Sequence, residues 1–229
     1  MKRIAILVLS AALVAACGGG GGGTTLEIDP QDFVADVTHP LFPLTPGTTY
    51  ILEGDTDDGH VRVEFEVTDD RKDILGVSCI VVHAIEFIDG ELVEDTFDWF
   101  AQDVDGNVWY FGEDTKEIEN GVVVDDEGSW EAGVEGAEPG IIMLAAPAVG
   151  TTYANESAPG EAEDMATVLA LDEMVTVPFG TFATCLKTED FTPLEPDVFE
   201  HKFYAPGVGL VLEVEQDGSR IELIAVETD

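Results

Sequence analysis

Asp-Gly and Asn-Gly dipeptides recur along this chain between segments that alternate apolar and polar residues. Both residue types tolerate positive φ, so these dipeptides favour tight hairpin turns. In segment 61–67 every second residue is apolar, the period of a strand with one buried face, and Glu213-Val214-Glu215 and Ile221-Glu222-Leu223 continue the pattern. No long stretch after residue 16 has apolar residues at a helical period. The chain is predicted to be all-β, with antiparallel strands in a sandwich or barrel-like domain. The turn dipeptides are Asp58-Gly59, Asp89-Gly90, Asp105-Gly106, Asn120-Gly121 and Asp217-Gly218.

An internal repeat divides the chain into two parts. Gly-Thr-Thr-Tyr occurs at 47–50 and again at 150–153. Two further similarities follow in the same order, 76–79 with 180–185 and 99–104 with 203–208. They predict two tandem β-repeats, 41–116 and 144–228, joined by an acidic, Gly-rich connection over 117–143. Chance similarity between hairpin sequences is the alternative.

The N-terminus predicts export and lipid attachment. A short basic start precedes the apolar residues 4–16, which indicates a signal peptide over 1–16 that is too short to span a bilayer. Leu13-Val14-Ala15-Ala16-Cys17 resembles a bacterial lipobox, which implies that Cys17 is lipidated and becomes the new N-terminus. An ordinary secretory signal that contains a cysteine is the alternative. Residues 17–25 hold six consecutive glycines and would act as a flexible tether.

The expected location is therefore the cell envelope, with the membrane as a partner through the lipid on Cys17. In a Gram-negative cell the residue after the cysteine, Gly18, favours the outer membrane. In a Gram-positive cell the protein would lie on the outer face of the cytoplasmic membrane.

The charge restricts the partners. The chain has 48 acidic and 9 basic residues, a formal net charge of −39. Such a charge disfavours nucleic acid and anionic lipid surfaces, and it permits cations, basic proteins and cationic polymers. Adaptation to salt, or simple solubility, is the alternative explanation of the acidity.

Two cysteines remain after Cys17, and they occupy matching places in the two repeats. An oxidising compartment allows a disulfide between Cys79 and Cys185. Two separately buried thiols are the alternative. The spacing excludes a CxxC redox or zinc motif.

The segment Asp103-Val104-Asp105-Gly106-Asn107 is the best candidate for a metal site. Oxygen-bearing side chains at alternate positions around a Gly turn suit a hard cation such as Ca²⁺, so Asp103, Asp105 and Asn107 are predicted ligands. The alternative is a hairpin whose Asp and Asn serve only the turn. A second acidic turn, with Asp55, Asp57 and Asp58, is a weaker candidate. No other cofactor is predicted.

Aromatic residues concentrate on two segments that the turn at Asp105-Gly106 would bring side by side. They suggest either core packing or a platform for a glycan, with Asp98 as a nearby polar group. The aromatic residues are Phe97, Trp99, Trp109, Tyr110 and Phe111.

Part of the second repeat resembles a group of uncharacterised bacterial envelope proteins. The residues that carry the resemblance are VPFGTF at 177–182 and YAPGVGLV at 204–211. The resemblance implies a β-barrel-like domain in the envelope, and it implies no activity.

The sequence contains no GxSxG, HExxH or phosphate-binding loop after a strand, and its carboxylates are too numerous to single out a catalytic pair. The predicted function is a non-catalytic binding module for a cation, a glycan or an envelope partner. A structural or assembly lipoprotein is the main alternative, and a hydrolase using surface carboxylates is the third.

Overall fold

The computed structural model describes residues 26–228, so the predicted signal peptide, Cys17 and the tether lie outside the described residues. Within 26–228, one 3₁₀ turn at Pro30–Asp32 accompanies eighteen strands. No helix in this range is long and apolar enough to cross a membrane. The strands are β1 (Phe33–Val34), β2 (Val37–His39), β3 (Phe42–Leu44), β4 (Thr48–Thr56), β5 (Gly59–Ile74), β6 (Val77–Ile88), β7 (Glu91–Asp103), β8 (Val108–Glu119), β9 (Val122–Asp125), β10 (Trp130–Glu131), β11 (Glu138–Met143), β12 (Thr152–Ala154), β13 (Glu156–Ser157), β14 (Met165–Val177), β15 (Gly180–Phe191), β16 (Phe199–Ala205), β17 (Gly209–Glu215) and β18 (Arg220–Thr228).

Sixteen strands form one antiparallel sheet that nearly closes into a barrel. Its main path runs β12-β14-β15-β16-β17-β18-β4-β5-β6-β7-β8-β11-β13, and β1, β9 and β10 add to it at β7 and β8. The predicted all-β, antiparallel, barrel-like fold is confirmed.

The two ends of this path belong to one short segment, residues 152–157. Its first half, β12, pairs with β14, and its second half, β13, pairs with β11. A Cβ at Gly140 on β11 would lie 2.1 Å from the Asn155 carbonyl oxygen, so only glycine permits this approach. The segment therefore joins the ends of the sheet, and we call it the seam.

The predicted hairpin turns are confirmed, and so is the predicted buried face of β5. Each of the five Asp-Gly or Asn-Gly dipeptides lies at the junction of two consecutive paired strands, and Gly59 is already the first residue of β5. At the β6–β7 turn both Asp89 and Gly90 have positive φ, 52° and 81°. On β5 the side chains of Val61, Val63 and Val67 are buried, as the alternation predicts.

The two parts of the repeat share local backbone structure. The Gly47 amide donates to the Val67 carbonyl, and the Gly150 amide donates to the Val168 carbonyl, both at 2.8 Å. Both glycines have positive φ. The meander β4-β5-β6-β7-β8 has the same neighbour order as β12-β14-β15-β16-β17. The origin of this similarity by duplication stays a prediction.

The predicted connection, 117–143, is itself folded. It begins within β8, and β9, β10 and β11 all pair back onto β8. The buried Trp130 packs edge-on against Tyr110, with 5.4 Å between ring centroids. The acidic, Gly-rich composition of this segment therefore does not prevent it from packing on the sheet.

A separate hairpin, β2–β3, packs against β4, β7 and the turn between β16 and β17. The Gly207 amide donates to the Pro40 carbonyl at 2.7 Å, and the Tyr50 hydroxyl donates to the Pro43 carbonyl at 3.3 Å. The ring of Phe42 packs edge-on against Phe100, with centroids 5.3 Å apart. We call this hairpin the cap.

Candidate binding cavity

A cavity of about 80 Å³ lies inside the sheet beside the cap. At about 10–15 Å³ per water, it would hold on the order of five water molecules. Its lining is mostly apolar, with three ionisable exceptions, Asp98, Lys202 and Glu213. The aromatic part of the lining consists of Phe42, Tyr50, Phe65, Phe100 and Tyr204.

Strand register places the three ionisable groups. Asp98 on β7 lies opposite Val82 on β6 and Glu113 on β8. Lys202 on β16 lies opposite Glu213 on β17. Five strand-to-strand steps separate β17 from β7 along the sheet, so the two carboxyls reach the cavity from distant strands.

Asp98 is completely buried and only half satisfied. The Tyr110 hydroxyl donates to Oδ1 at 2.5 Å, while Oδ2 has no hydrogen-bond partner in the described residues. Burial raises the pKa of Asp98 to about 7, against the opposing effect of the Tyr110 hydrogen bond. The carboxyl therefore changes charge near neutral pH.

Glu213 is also completely buried, and neither of its oxygens has a hydrogen-bond partner in the described residues. The nearest cation is Lys202, whose Nζ is 3.9 Å from Oε1. Burial raises the pKa of Glu213 well above its ordinary value, and Lys202 offsets this only in part. Glu213 thus lines the cavity with two oxygens that make no hydrogen bond within residues 26–228, and its ion-pair partner there is Lys202.

Lys202 has its own carboxylates. Its Nζ is 2.9 Å from Glu200 Oε1 and 3.8 Å from Asp190 Oδ2. Burial alone would lower the pKa of Lys202, but these acids and Glu213 outweigh it and hold the pKa well above its usual value. The charge of Lys202 is therefore balanced before any ligand enters.

Further acids line the interior around these groups. Glu113 and Glu156 are buried near Asp98, and burial together with repulsion from neighbouring acids raises both pKa values well above the ordinary range. Asp164, near Lys202, has its pKa raised to about 7, chiefly by burial. Sequence reasoning missed Glu113, Glu156 and Asp164, because nothing in the sequence distinguishes them from the many exposed acids.

The predicted metal site at Asp103, Asp105 and Asn107 is occupied by hydrogen bonds within the chain. Asp103 Oδ1 accepts from the Asn107 amide, and Oδ2 accepts from Asn107 Nδ2 and Trp109 Nε1, each at 2.8 Å. Asn107 Oδ1 accepts from the Ala145 amide. Asp105 is exposed. The geometry favours the alternative in which Asp103 and Asn107 hold the hairpin turn.

The acids of the second predicted turn do not converge on a site either. Asp55, Asp57 and Asp58 are exposed, and Asp55 Oδ1 lies 2.8 Å from His60 Nδ1. Across residues 26–228, no three His, Cys, Asp or Glu side chains are grouped so that they could hold a metal ion.

The aromatic residues of β7 and β8 contact other groups of the chain. Phe33 of β1 packs edge-on against both Trp109 and Phe111. Lys72 Nζ lies 3.2 Å from the ring centroid of Trp99. Phe97 stacks on His83, with centroids 4.3 Å apart. These contacts favour packing over an open glycan platform.

The predicted disulfide between Cys79 and Cys185 is wrong in the structure, where both are free, buried thiols. They belong to two different apolar clusters, one that contains Phe100 and Tyr110 and one that contains Leu52 and Val211. Matching places in the repeat thus put the two thiols in separate parts of the core. Burial raises the pKa of Cys79 to about 12, so its thiolate is disfavoured.

No protein-family model matches this chain, and no curated protein matches it. It is similar to a solved structure of a predicted exported protein with a YmcC-like fold from Bacteroides fragilis. The identity is 14%, the TM-score is 0.46, and the match covers 82% of this chain and 99% of that one. It is also similar to a solved structure of a predicted lipoprotein from Parabacteroides distasonis, at 13% identity and a TM-score of 0.38, over 82% of this chain and 98% of that one.

Proposed function

We propose that this chain is a lipid-anchored envelope protein that binds a small ligand, without catalysis, in the cavity inside its barrel-like sheet. The observation that carries the proposal is Glu213, which is completely buried, lines the cavity and accepts no hydrogen bond at either carboxyl oxygen from the described part of the chain. Leaving a buried polar group unpaired costs about 1–3 kcal/mol. A ligand that supplies the missing bonds would recover this cost.

The anchor rests on the sequence. Leu13-Val14-Ala15-Ala16-Cys17 supports lipidation at Cys17. Cys17→Ala should abolish membrane association, as measured by detergent phase partitioning of the variant and the parent. A variant that still enters the detergent phase would refute the anchor.

The cavity is tested by ligand retention. Native purification followed by mass spectrometry should recover a small molecule from the parent protein. Leu210→Trp, on β17 in the cavity lining, should reduce retention because the larger ring fills the space. Val214→Trp is the matched control, since Val214 is on the same strand and does not line the cavity. Equal retention by both variants would place any ligand elsewhere.

A structural role through protein contacts is the second candidate, and β9 favours it. The side chains of Val122, Val123 and Val124 are all at least half exposed, and β9 pairs with β8 alone among the described strands. Exposed apolar edge strands are sites where another strand can add. Acids flank this edge at Glu119 and Asp125, so the fitting partner is a basic strand of another envelope protein. Val123→Lys should release such a partner from complexes purified in detergent.

A further inference from the structure

The mostly apolar cavity wall suits an organic ligand better than a hydrated metal ion. Hard cations require several oxygen ligands, and within residues 26–228 no suitable cluster of acids exists. Most of the lining is aromatic or aliphatic instead, with Phe42, Phe65, Phe100 and Leu210 as its larger members. Such a wall fits the hydrocarbon part of an organic molecule.

Two carboxyls line this apolar space with oxygens that accept no hydrogen bond from residues 26–228. They are Asp98 through Oδ2 and Glu213 through both Oε atoms. Because Glu200 and Asp190 already accompany Lys202, the lysine leaves the site without net positive charge. Several further buried acids lie nearby, and the whole chain carries a formal charge of −39. The net charge of the chain repels an anionic ligand and attracts a cation, and Asp98 and Glu213 add to that attraction when they are ionised.

Aromatic rings in the lining strengthen the case for a cation. Ring faces attract ammonium groups, and the attraction increases when water is excluded. The lining places Phe42 and Phe100 in edge-on contact, beside Tyr50 and Tyr204.

We propose that the ligand is a small organic ammonium ion, held by Asp98 and Glu213 with its hydrocarbon part against the aromatic wall. This inference rests on the proposed function and names the chemical class of its ligand. A buried hydrogen bond to a charged group contributes about 1.5–3 kcal/mol, so the ammonium should bind about ten- to one-hundredfold more tightly than a neutral analogue of equal size.

Binding should also release a proton. When R–NH₃⁺ enters beside a neutral carboxylic acid, the acid gives its proton to solvent and forms R–NH₃⁺···⁻OOC, so that charge and protons balance. The titratable groups around Asp98 are Tyr110, Glu94, Glu113 and Glu156, and those around Glu213 are Lys202, Glu200, Asp190 and Glu86. All but Lys202 are acids or a phenol, so affinity for the cation should increase as the pH rises through about 7, where Asp98 loses its proton.

The test is isothermal titration calorimetry with n-propylammonium, n-propanol and propionate at matched ionic strength. Two buffers of different ionisation enthalpy report the protons released. We expect the ammonium ion to bind best, with proton release, and Glu213→Gln to lose most of its advantage over propanol. Asp69→Asn with Asp70→Asn is the control, since both acids are exposed and this change removes charge without touching the cavity.

Propanol binding as tightly as propylammonium would overturn the inference while leaving a cavity-binding function intact. An unchanged preference in Glu213→Gln would also overturn it. If the double control loses the preference as fully as Glu213→Gln, the selectivity comes from the overall charge and the site assignment is wrong. If none of the three probes binds, the ammonium inference fails, and ligand retention by the parent and Leu210→Trp decides the proposed function separately.

Discussion

Lys202 and Glu213 lie directly opposite each other on β16 and β17, yet Nζ remains 3.9 Å from Oε1, too far for a hydrogen bond. Lys202 lies closer to Glu200, at 2.9 Å. The cross-strand pair is therefore incomplete, and Lys202 offsets the cost of burying Glu213 only in part.

Replacing Glu213 with an apolar residue of similar size should stabilise the protein. Glu213→Leu removes a buried acid with two unpaired oxygens, so the free energy of unfolding should increase by about 1–3 kcal/mol. Urea unfolding at neutral pH measures it. Glu222→Leu is the control: Glu222 accepts from Arg220 at 2.9 Å, so its loss should bring no gain. A destabilised Glu213→Leu would show that Lys202 depends on this acid.

Stability should increase as the pH falls from about 8 to about 5. Burial raises the pKa of Asp98, Glu94 and Asp164 to about 7. A raised folded-state pKa means that the folded state binds more protons than the unfolded state. The stability that these groups contribute is complete below their unfolded pKa, near 4, and is lost as the pH rises through about 7.

Thermal melts across this range check the pH dependence. His39 acts in the opposite direction, because burial lowers its pKa and folding then loses stability below about pH 6.5. Asp98→Asn combined with Glu213→Gln should flatten the profile, while the exposed pair Asp69→Asn and Asp70→Asn should alter it much less. Equal flattening by both pairs would attribute the effect to net charge.

The first position of β17, residue 209, should tolerate only glycine. Gly209 has a φ of +101°, and a Cβ there would lie 3.5 Å from Pro43 Cδ in the cap. Gly209→Ala should lower the free energy of unfolding by about 1–2 kcal/mol, because the left-handed backbone is strained for any other residue. Gly180→Ala, which has no positive φ and meets only the Phe182 ring at 3.6 Å, should change it by less than about 0.5 kcal/mol. Equal effects in urea unfolding would refute the backbone argument.

Asp103 should act as a structural acid. Asp103→Ala removes the acceptor of three hydrogen bonds and should destabilise the protein by about 1–3 kcal/mol, whereas Asp105→Ala, at an exposed position, should have little effect. Ca²⁺ and Na⁺ at equal ionic strength should raise the melting temperature of the parent alike. A saturable increase specific to Ca²⁺, lost when Asp103 and Asp105 both become Asn, would instead establish the predicted cation site.

Much of the fold is readable from the sequence because turn chemistry and strand period are local. Asp89-Gly90 needs only its own φ angles to form a hairpin, and Val61, Val63 and Val67 bury the one apolar face available to them. These local elements predict an antiparallel sheet, and they leave a sandwich and a barrel-like form both open.

The cavity is not readable in the same way. In Glu213-Val214-Glu215 the alternation favours Val214 on the inner face, but the structure buries Glu213 completely and leaves Val214 partly exposed. The side chain on the inner face here is an acid, so hydrophobicity alone places the wrong residue of β17 on that face. The register with Lys202 decides it, and that pairing depends on the strand order of the whole sheet.

The seam at 152–157 joins the two ends of the barrel-like sheet. Three residues hold one end of the sheet and two hold the other, so few backbone bonds join the ends. Insertions beside this segment would widen the interior while β4 to β8 and β14 to β18 keep their pairing. Changes of length in this one short stretch of chain would therefore leave the acids of the inner wall in place.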